Sequence, residues 1–121
     1  MSDRPADIRK FERAGQQRFS AAEFLLANGY NLDATYLAGY SVECALKALI
    51  LRRTPASRHD AMVARLTKVG ALGHDFEYLK NVLQAKPCNC TIPVAITLEL
   101  RNVAEWSTNL RYETGLISLK D

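Results

Sequence analysis

The sequence is poor in the residues that metal sites and disulfide frameworks need. It has three cysteines and two histidines among 121 residues. An odd cysteine count does not suit a disulfide framework, and Cys88-Asn89-Cys90 offers too few ligands for a zinc site. We therefore expect free cysteines in a reducing compartment, with no metal ion and no cofactor bound.

Motifs of the common enzyme classes are also missing. Gly70-Ala71-Leu72-Gly73 lacks the preceding strand and the lysine of a phosphate-binding loop. His59 falls in a polar segment that we predict to be a loop, and His74 stands beside Asp75, a plausible helix cap. We expect His74 to be a structural hydrogen-bonding group, with a ligand contact as the lesser alternative. No Ser-His-Asp arrangement can be derived from the spacing.

Neither a polybasic arm nor an uninterrupted apolar run is present. The formal net charge of +3 is mildly basic, which is compatible with nucleic acid as a partner without implying it. The longest apolar stretch, residues 32–51, contains Asp33, Glu43 and Lys47, and charges at such depths are costly in lipid. Residues 1–5 show no apolar segment after a basic start. We expect a cytoplasmic protein that does not associate with a membrane.

Apolar periodicity predicts helices throughout the chain. The first predicted helix covers residues 5–28 and stops at Asn28-Gly29, and the second is capped by Asn31 and ended by Thr54-Pro55. A short third helix lies within residues 57–70, with Met62, Leu66 and Val69 facing inward. The fourth helix is opened by His74-Asp75 and has Phe76, Leu79 and Leu83 facing inward, and a last helix follows Thr91 and Pro93 and fades near residue 108. Short connections favour antiparallel neighbours. The predicted fold is all-α, a single domain over 1–121: an up-and-down antiparallel bundle of four main helices plus a short extra helix.

A narrow polar stripe interrupts the apolar second helix. It consists of Asp33, Tyr36, Tyr40, Glu43 and Lys47, which follow one another at steps of three and four residues. The stripe has two interpretations. It lines a functional groove, or it is a solvated or dimer-facing edge, and the residues alone favour the edge.

Arg101-Asn102 and Arg111-Tyr112 form a second polar group near the end of the chain. Arginine presents a planar fork of donors that suits phosphate, and tyrosine adds a ring and a hydroxyl, so together they are able to hold a nucleotide or an RNA backbone. The alternative is that Arg101 pairs with a neighbouring carboxylate while Trp106 fills the core. Without further information the residues favour this alternative.

The segment Tyr36-Leu37-Ala38-Gly39-Tyr40-Ser41-Val42-Glu43-Cys44-Ala45-Leu46-Lys47-Ala48-Leu49 resembles the second helix of HEPN domains. Gly73-His74-Asp75-Phe76 and the late Trp106 extend the resemblance, which runs from the first helix to Tyr112. HEPN domains are small helical domains linked to nucleotide and RNA biology. The resemblance implies an up-and-down helical bundle that forms a homodimer.

Ribonuclease members of that family carry an arginine, often followed by a polar residue, and a histidine that is separated from the arginine by four to six residues. Arg101-Asn102 match the beginning of this motif, but Trp106, Ser107 and Thr108 stand where the histidine belongs. Loss of a general acid or base typically removes about two to four decades of rate. The Arg111-Tyr112 ending resembles the non-catalytic branch, which is paired with or fused to a nucleotidyltransferase, and Thr108 stands where some toxin-like members carry a modified tyrosine.

Three functions remain open. The first is a non-catalytic HEPN domain that binds a nucleotide or RNA, or that serves a nucleotidyltransferase partner in a toxin–antitoxin-like module. The second is a dimerisation or interaction module without a ligand, and the third is a metal-independent ribonuclease with a degenerate Arg-x4-His motif. The first-choice ligand contacts are Arg101, Asn102, Arg111 and Tyr112; the second-choice contacts are Tyr36, Tyr40, Glu43, Lys47 and His74.

Overall fold

The computed structural model describes residues 3–68 and 76–96. Within these ranges the chain forms four α-helices, one short 3-10 helix and a helical stretch at residues 94–96, and no strand. The helices are α1 (Arg4–Ala27), α2 (Asn31–Arg53), a 3-10 turn (Ala56–Arg58), α3 (His59–Lys68) and α4 (Phe76–Gln84). Residues 94–96 are also helical, after Thr91 and Pro93 as predicted. The predicted all-α bundle is confirmed.

Helix α1 has clear start and stop signals. The Asp3 carboxylate accepts a hydrogen bond from the Ala6 backbone N–H at 3.3 Å, which satisfies one of the first-turn donors. The helix ends at Ala27 with Asn28 as its C-cap, and Gly29 then takes a left-handed φ of 83°, which glycine adopts without strain. The predicted bounds of 5–28 are therefore confirmed to within a residue.

Helices α1 and α2 form an antiparallel hairpin with close backbone approach. Gly15 is the contact point, because a Cβ added there would lie 3.2 Å from the Cys44 Cβ. The Ser41 hydroxyl donates to the Gly15 carbonyl at 2.9 Å across the same crossing. A larger residue at position 15 would push the helices apart, so this glycine sets which side chains of α1 face α2.

Helix α2 lies at the centre of the bundle and contacts α1, α3 and α4. Its N-cap is Tyr30, without a side-chain cap bond, so the prediction that Asn31 caps the helix is wrong: Asn31 is already its first residue. The Thr54 hydroxyl donates to the Ile50 carbonyl at 2.6 Å where the helix ends, as predicted. Among the described helices, α2 alone is long and apolar enough to span a membrane by length and composition, and 44% of that apolar window is buried inside the bundle.

The core lies between α2, α3 and α4, with α1 contributing one residue. Its buried members are Ile8, Ile50, Leu51, Met62, Leu66, Leu79, Val82, Leu83 and Cys88. Each fully buried aliphatic side chain of this kind contributes about 1.5–3 kcal/mol to folding. The inward positions predicted for α3 and α4 are thus confirmed for Met62, Leu66, Phe76, Leu79 and Leu83. Val69, Asp75 and the residues after 96 lie outside the described residues.

His59 corrects the prediction of a polar loop. It is the first residue of α3, only 2% exposed, and its Nε2 lies 2.8 Å from the Asp7 carboxylate of α1. Its neighbours Arg58 and Asp60 are polar and exposed, so the composition of this segment does not indicate that His59 is buried. The His59–Asp7 contact therefore ties the start of α3 to the first turns of α1.

Candidate functional site

The polar stripe of α2 begins at the exposed Asp33 and continues with two tyrosines one turn apart. The rings of Tyr36 and Tyr40 meet edge to face at a centroid distance of 5.1 Å, and their hydroxyls lie 3.2 Å apart. Tyr36 is exposed and Tyr40 is half-buried. This end of the stripe presents aromatic surface and hydroxyl groups to solvent.

The stripe continues into the bundle as a buried ion pair. Lys47 Nζ lies 3.0 Å from Glu43 Oε2, and the two side chains are only 7% and 8% exposed. The interpretation of the stripe as a solvated edge is therefore wrong for these two residues. Removing water from two charges costs several kcal/mol per ion, and a close partner offsets that cost only while both are present. We therefore expect the loss of either side chain to destabilise the fold.

Helix α1 covers the stripe with two side chains that were not among the predicted site residues. The Arg18 guanidinium lies 5.7 Å from the centroid of the Tyr40 ring, and Lys47 Nζ lies 5.8 Å from that of Phe11. Phe11 and Arg18 are seven residues apart, which places them on the same face of α1. That spacing was available in the sequence, but the register of α1 against α2 was not.

Cys44 lies beside the ion pair, and its thiol is unreactive at neutral pH. Burial raises the pKa of its thiol above the ordinary value of 9.0; Arg18 opposes the rise, Glu43 adds to it and Lys47 opposes it. A thiol with a raised pKa is protonated at neutral pH and is a poor nucleophile. Cys44 is therefore a packing residue at the α1–α2 crossing and not a candidate catalyst.

A groove runs along the other side of the hairpin; we call it the α1–α2 groove. It has a volume of about 370 Å³ and is lined by Phe11, Glu12, Gly15, Gln16, Phe19, Ser41, Ala45, Ala48, Leu49 and Arg52. Its walls are mostly apolar, and Phe19 and Leu49 remain 48% and 39% exposed. Glu12 and Arg52 bridge its rim at 2.7 Å. The groove offers an apolar surface with one charge of each sign at its edge.

Among residues 3–68 and 76–96, the structure brings together the second-choice residues of α2. Tyr36, Tyr40, Glu43 and Lys47 share one face of the helix, as predicted, but the face changes from exposed to buried along its length. The first-choice residues Arg101, Asn102, Arg111 and Tyr112, together with His74, lie outside the described residues. Within residues 3–68 and 76–96, no three potential metal ligands cluster.

Comparison with known proteins places the chain in a family. The model of the HEPN domain matches residues 8–114. The chain belongs to the HEPN domain family. No curated protein and no solved structure matches it. The HEPN match includes the stripe of α2 and the later segment that contains Arg101, Trp106 and Tyr112.

Proposed function

We propose that this chain is a non-catalytic HEPN domain that binds the phosphate groups of RNA or of a nucleotide. Its protein partner under this proposal is a nucleotidyltransferase, with which it forms a toxin–antitoxin-like module. One observation carries it: inside the family match, Arg101-Asn102 are present while Trp106 stands where the ribonuclease members have histidine. An arginine fork still binds phosphate, whereas an indole does not transfer protons near neutral pH.

The surroundings of His59 support a function without catalysis. Its imidazole is buried and bonded to Asp7, at the contact between α1 and α3, so it is not presented to a substrate. A general base must reach the proton that it removes to within hydrogen-bond distance. His59 is therefore a poor replacement for the missing motif histidine.

The test follows binding and cleavage together on labelled single-stranded RNA, with ATP as the nucleotide probe. We expect wild-type protein to bind RNA or ATP without cleaving RNA, and the combined Arg101→Ala, Arg111→Ala variant to lose binding while its circular dichroism stays unchanged. Binding that survives this double substitution would show that the contacts are elsewhere. Metal-independent cleavage abolished by Arg101→Ala would instead establish the ribonuclease alternative.

The α1–α2 groove favours a second candidate function, a homodimerisation module. Phe19 and Leu49 expose apolar surface there that water solvates poorly. Because Glu12 and Arg52 stand together at the rim, a two-fold axis through the groove would set each of them against the opposite charge of the second copy. A homodimer would bury the exposed ring of Phe19.

Two phenylalanines of α1 provide a matched pair for testing this interface. Phe19 lines the groove, whereas Phe24 is 67% exposed and does not line it. We expect Phe19→Glu to convert a dimer to a monomer in light scattering, and Phe24→Glu to leave the dimer intact. A wild-type monomer at high concentration would eliminate this candidate and leave the phosphate-binding proposal untouched.

A further inference from the structure

The outward face of α1 carries three positive charges within two turns. Arg9, Lys10 and Arg13 are all exposed, on the side of the helix opposite Ile8 and Gly15, which are buried. A concavity of about 410 Å³ opens on this face. Its described lining consists of Ala6, Arg9, Lys10, Arg13, Ala14 and Gln17, with no carboxylate among them. We call this surface the α1 basic face.

Most other cations of the described residues have partners. Lys47 pairs with Glu43, Arg52 with Glu12, Lys80 with Glu77, and Arg65 donates to the Tyr78 hydroxyl. Among residues 3–68 and 76–96, neither a hydrogen bond nor an ion pair joins Arg9, Lys10 or Arg13 to another side chain. The α1 basic face is therefore a concentration of uncompensated charge.

The acids closest in sequence are committed elsewhere. Asp7 contacts His59 at 2.8 Å, and Glu12 contacts Arg52 at 2.7 Å, so both carboxylates serve contacts with other helices. Like charges three and four residues apart on a helix repel one another. Arg9, Lys10 and Arg13 thus oppose helix stability slightly, and nothing in the described fold requires them.

We propose that the α1 basic face binds the sugar-phosphate backbone of single-stranded RNA. This inference rests on the proposed function and adds a second contact surface to it, distinct from Arg101 and Arg111. Arg9 and Arg13 lie about 6 Å apart along the helix axis, a spacing comparable to that of successive phosphates in a strand. Arginine binds phosphate with two parallel donors, and such backbone contacts position RNA without reading its sequence.

The residues around the three cations argue against a membrane surface as the partner. A helix that lies on a membrane inserts large apolar side chains beside its basic residues. Here the neighbours are Ala6, Ala14 and Gln17, which are too small or too polar to insert. They leave the three cations accessible to a polyanion that approaches the helix from the side.

The experiment compares two double variants that remove the same charge. Arg9→Gln, Arg13→Gln removes two of the three cations of the α1 basic face, and Arg58→Gln, Lys86→Gln removes two other exposed cations, from the 3-10 turn and from the segment after α4. Glutamine keeps a high helix propensity. Binding of a fluorescent oligouridylate RNA is measured by anisotropy over a range of salt concentrations, beside wild type and the Arg101→Ala, Arg111→Ala variant.

We expect the Arg9, Arg13 variant to bind about 20-fold more weakly near 0.1 M salt and the slope of log K against log salt to fall by about 1.4, because each phosphate contact on a single strand contributes about 0.7. Its Tm should be equal to wild type or slightly higher, since a repulsion has been removed. The Arg58, Lys86 control should bind within about twofold of wild type, since neither residue lies on the face.

Other outcomes separate this inference from the proposed function. If wild type binds RNA and the Arg9, Arg13 variant binds equally well, the α1 basic face is not a contact, and the proposed function stands. If both double variants lost RNA affinity equally, the loss would be explained by net charge alone, and the inference would be overturned. Loss in the Arg9, Arg13 variant with none in the Arg101, Arg111 variant would uphold the α1 basic face and overturn the assignment of Arg101 and Arg111. A wild type that binds ATP and no RNA would overturn the inference alone.

Discussion

The two sides of α2 contrast within one apolar helix. Towards α3 and α4, Ile50 and Leu51 are completely buried. Towards the α1–α2 groove, Ala45 and Leu49 remain exposed although they are equally apolar in type. The difference teaches that apolar composition alone does not reveal what a helix face does. One side of α2 stabilises the fold, and the other remains in contact with solvent.

The largest loss of stability is expected when the buried Glu43–Lys47 ion pair of α2 is broken. Replacing Lys47 with methionine removes the ammonium that lies 3.0 Å from the buried Glu43 carboxylate, and breaking a buried ion pair in this way typically costs about 3–5 kcal/mol. The Glu43→Leu, Lys47→Met double variant should lose less than this single variant, because no buried charge remains. Urea unfolding measures both. If the single variant cost under about 1 kcal/mol, the pair would behave as a surface salt bridge, and the assignment to the interior would be wrong.

A matched pair of leucines compares the two sides directly. Leu51 is 0% exposed and Leu49 is 39% exposed on the same helix, two residues apart. We expect Leu51→Ala to cost about 2–5 kcal/mol, since it leaves a cavity in the core. Leu49→Ala should cost less than about 1 kcal/mol in the monomer, because its side chain already contacts water. Equal losses in urea unfolding would mean that the groove side is also covered.

Much of the fold could be predicted from local signals in the sequence. Asn28-Gly29 and Thr54-Pro55 end helices for reasons that lie within a few residues of themselves, and the helical periodicity identified Leu79 and Leu83 as inward. The HEPN resemblance was likewise confirmed, because the segment that carries it is continuous in the chain.

What escaped prediction depends on contacts between helices. Glu43 and Lys47 are buried by packing between helices, which the sequence does not show, and the Gly15–Cys44 crossing of α1 and α2 joins residues far apart in the chain. His59 was misjudged for the same reason, since its partner Asp7 belongs to another helix. The α1 basic face could not be predicted either, because the sequence does not show that the Asp7 and Glu12 carboxylates contact other helices instead of the neighbouring cations. Arg101, Asn102, Arg111 and Tyr112 remain sequence-based candidates.

The smallest expected effect concerns the crossing between the two helices and depends on pH. Burial raises the pKa of the Cys44 thiol above 9.0, so the native state favours the protonated form more than the unfolded state does. The contribution of this thiol to stability is therefore complete below about pH 9 and decreases as the pH rises towards the native pKa. Between pH 8 and pH 10.5, wild type should lose more stability in thermal unfolding than the Cys44→Ala variant. The comparison of the two proteins cancels the titration of all other groups.

In native protein at neutral pH, a thiol reagent should modify the half-buried Cys90 before Cys44. Rapid modification of Cys44 would mean that the α1–α2 crossing opens readily, and the contrast between the closed core side and the open groove side of α2 would then be weaker than the structure indicates.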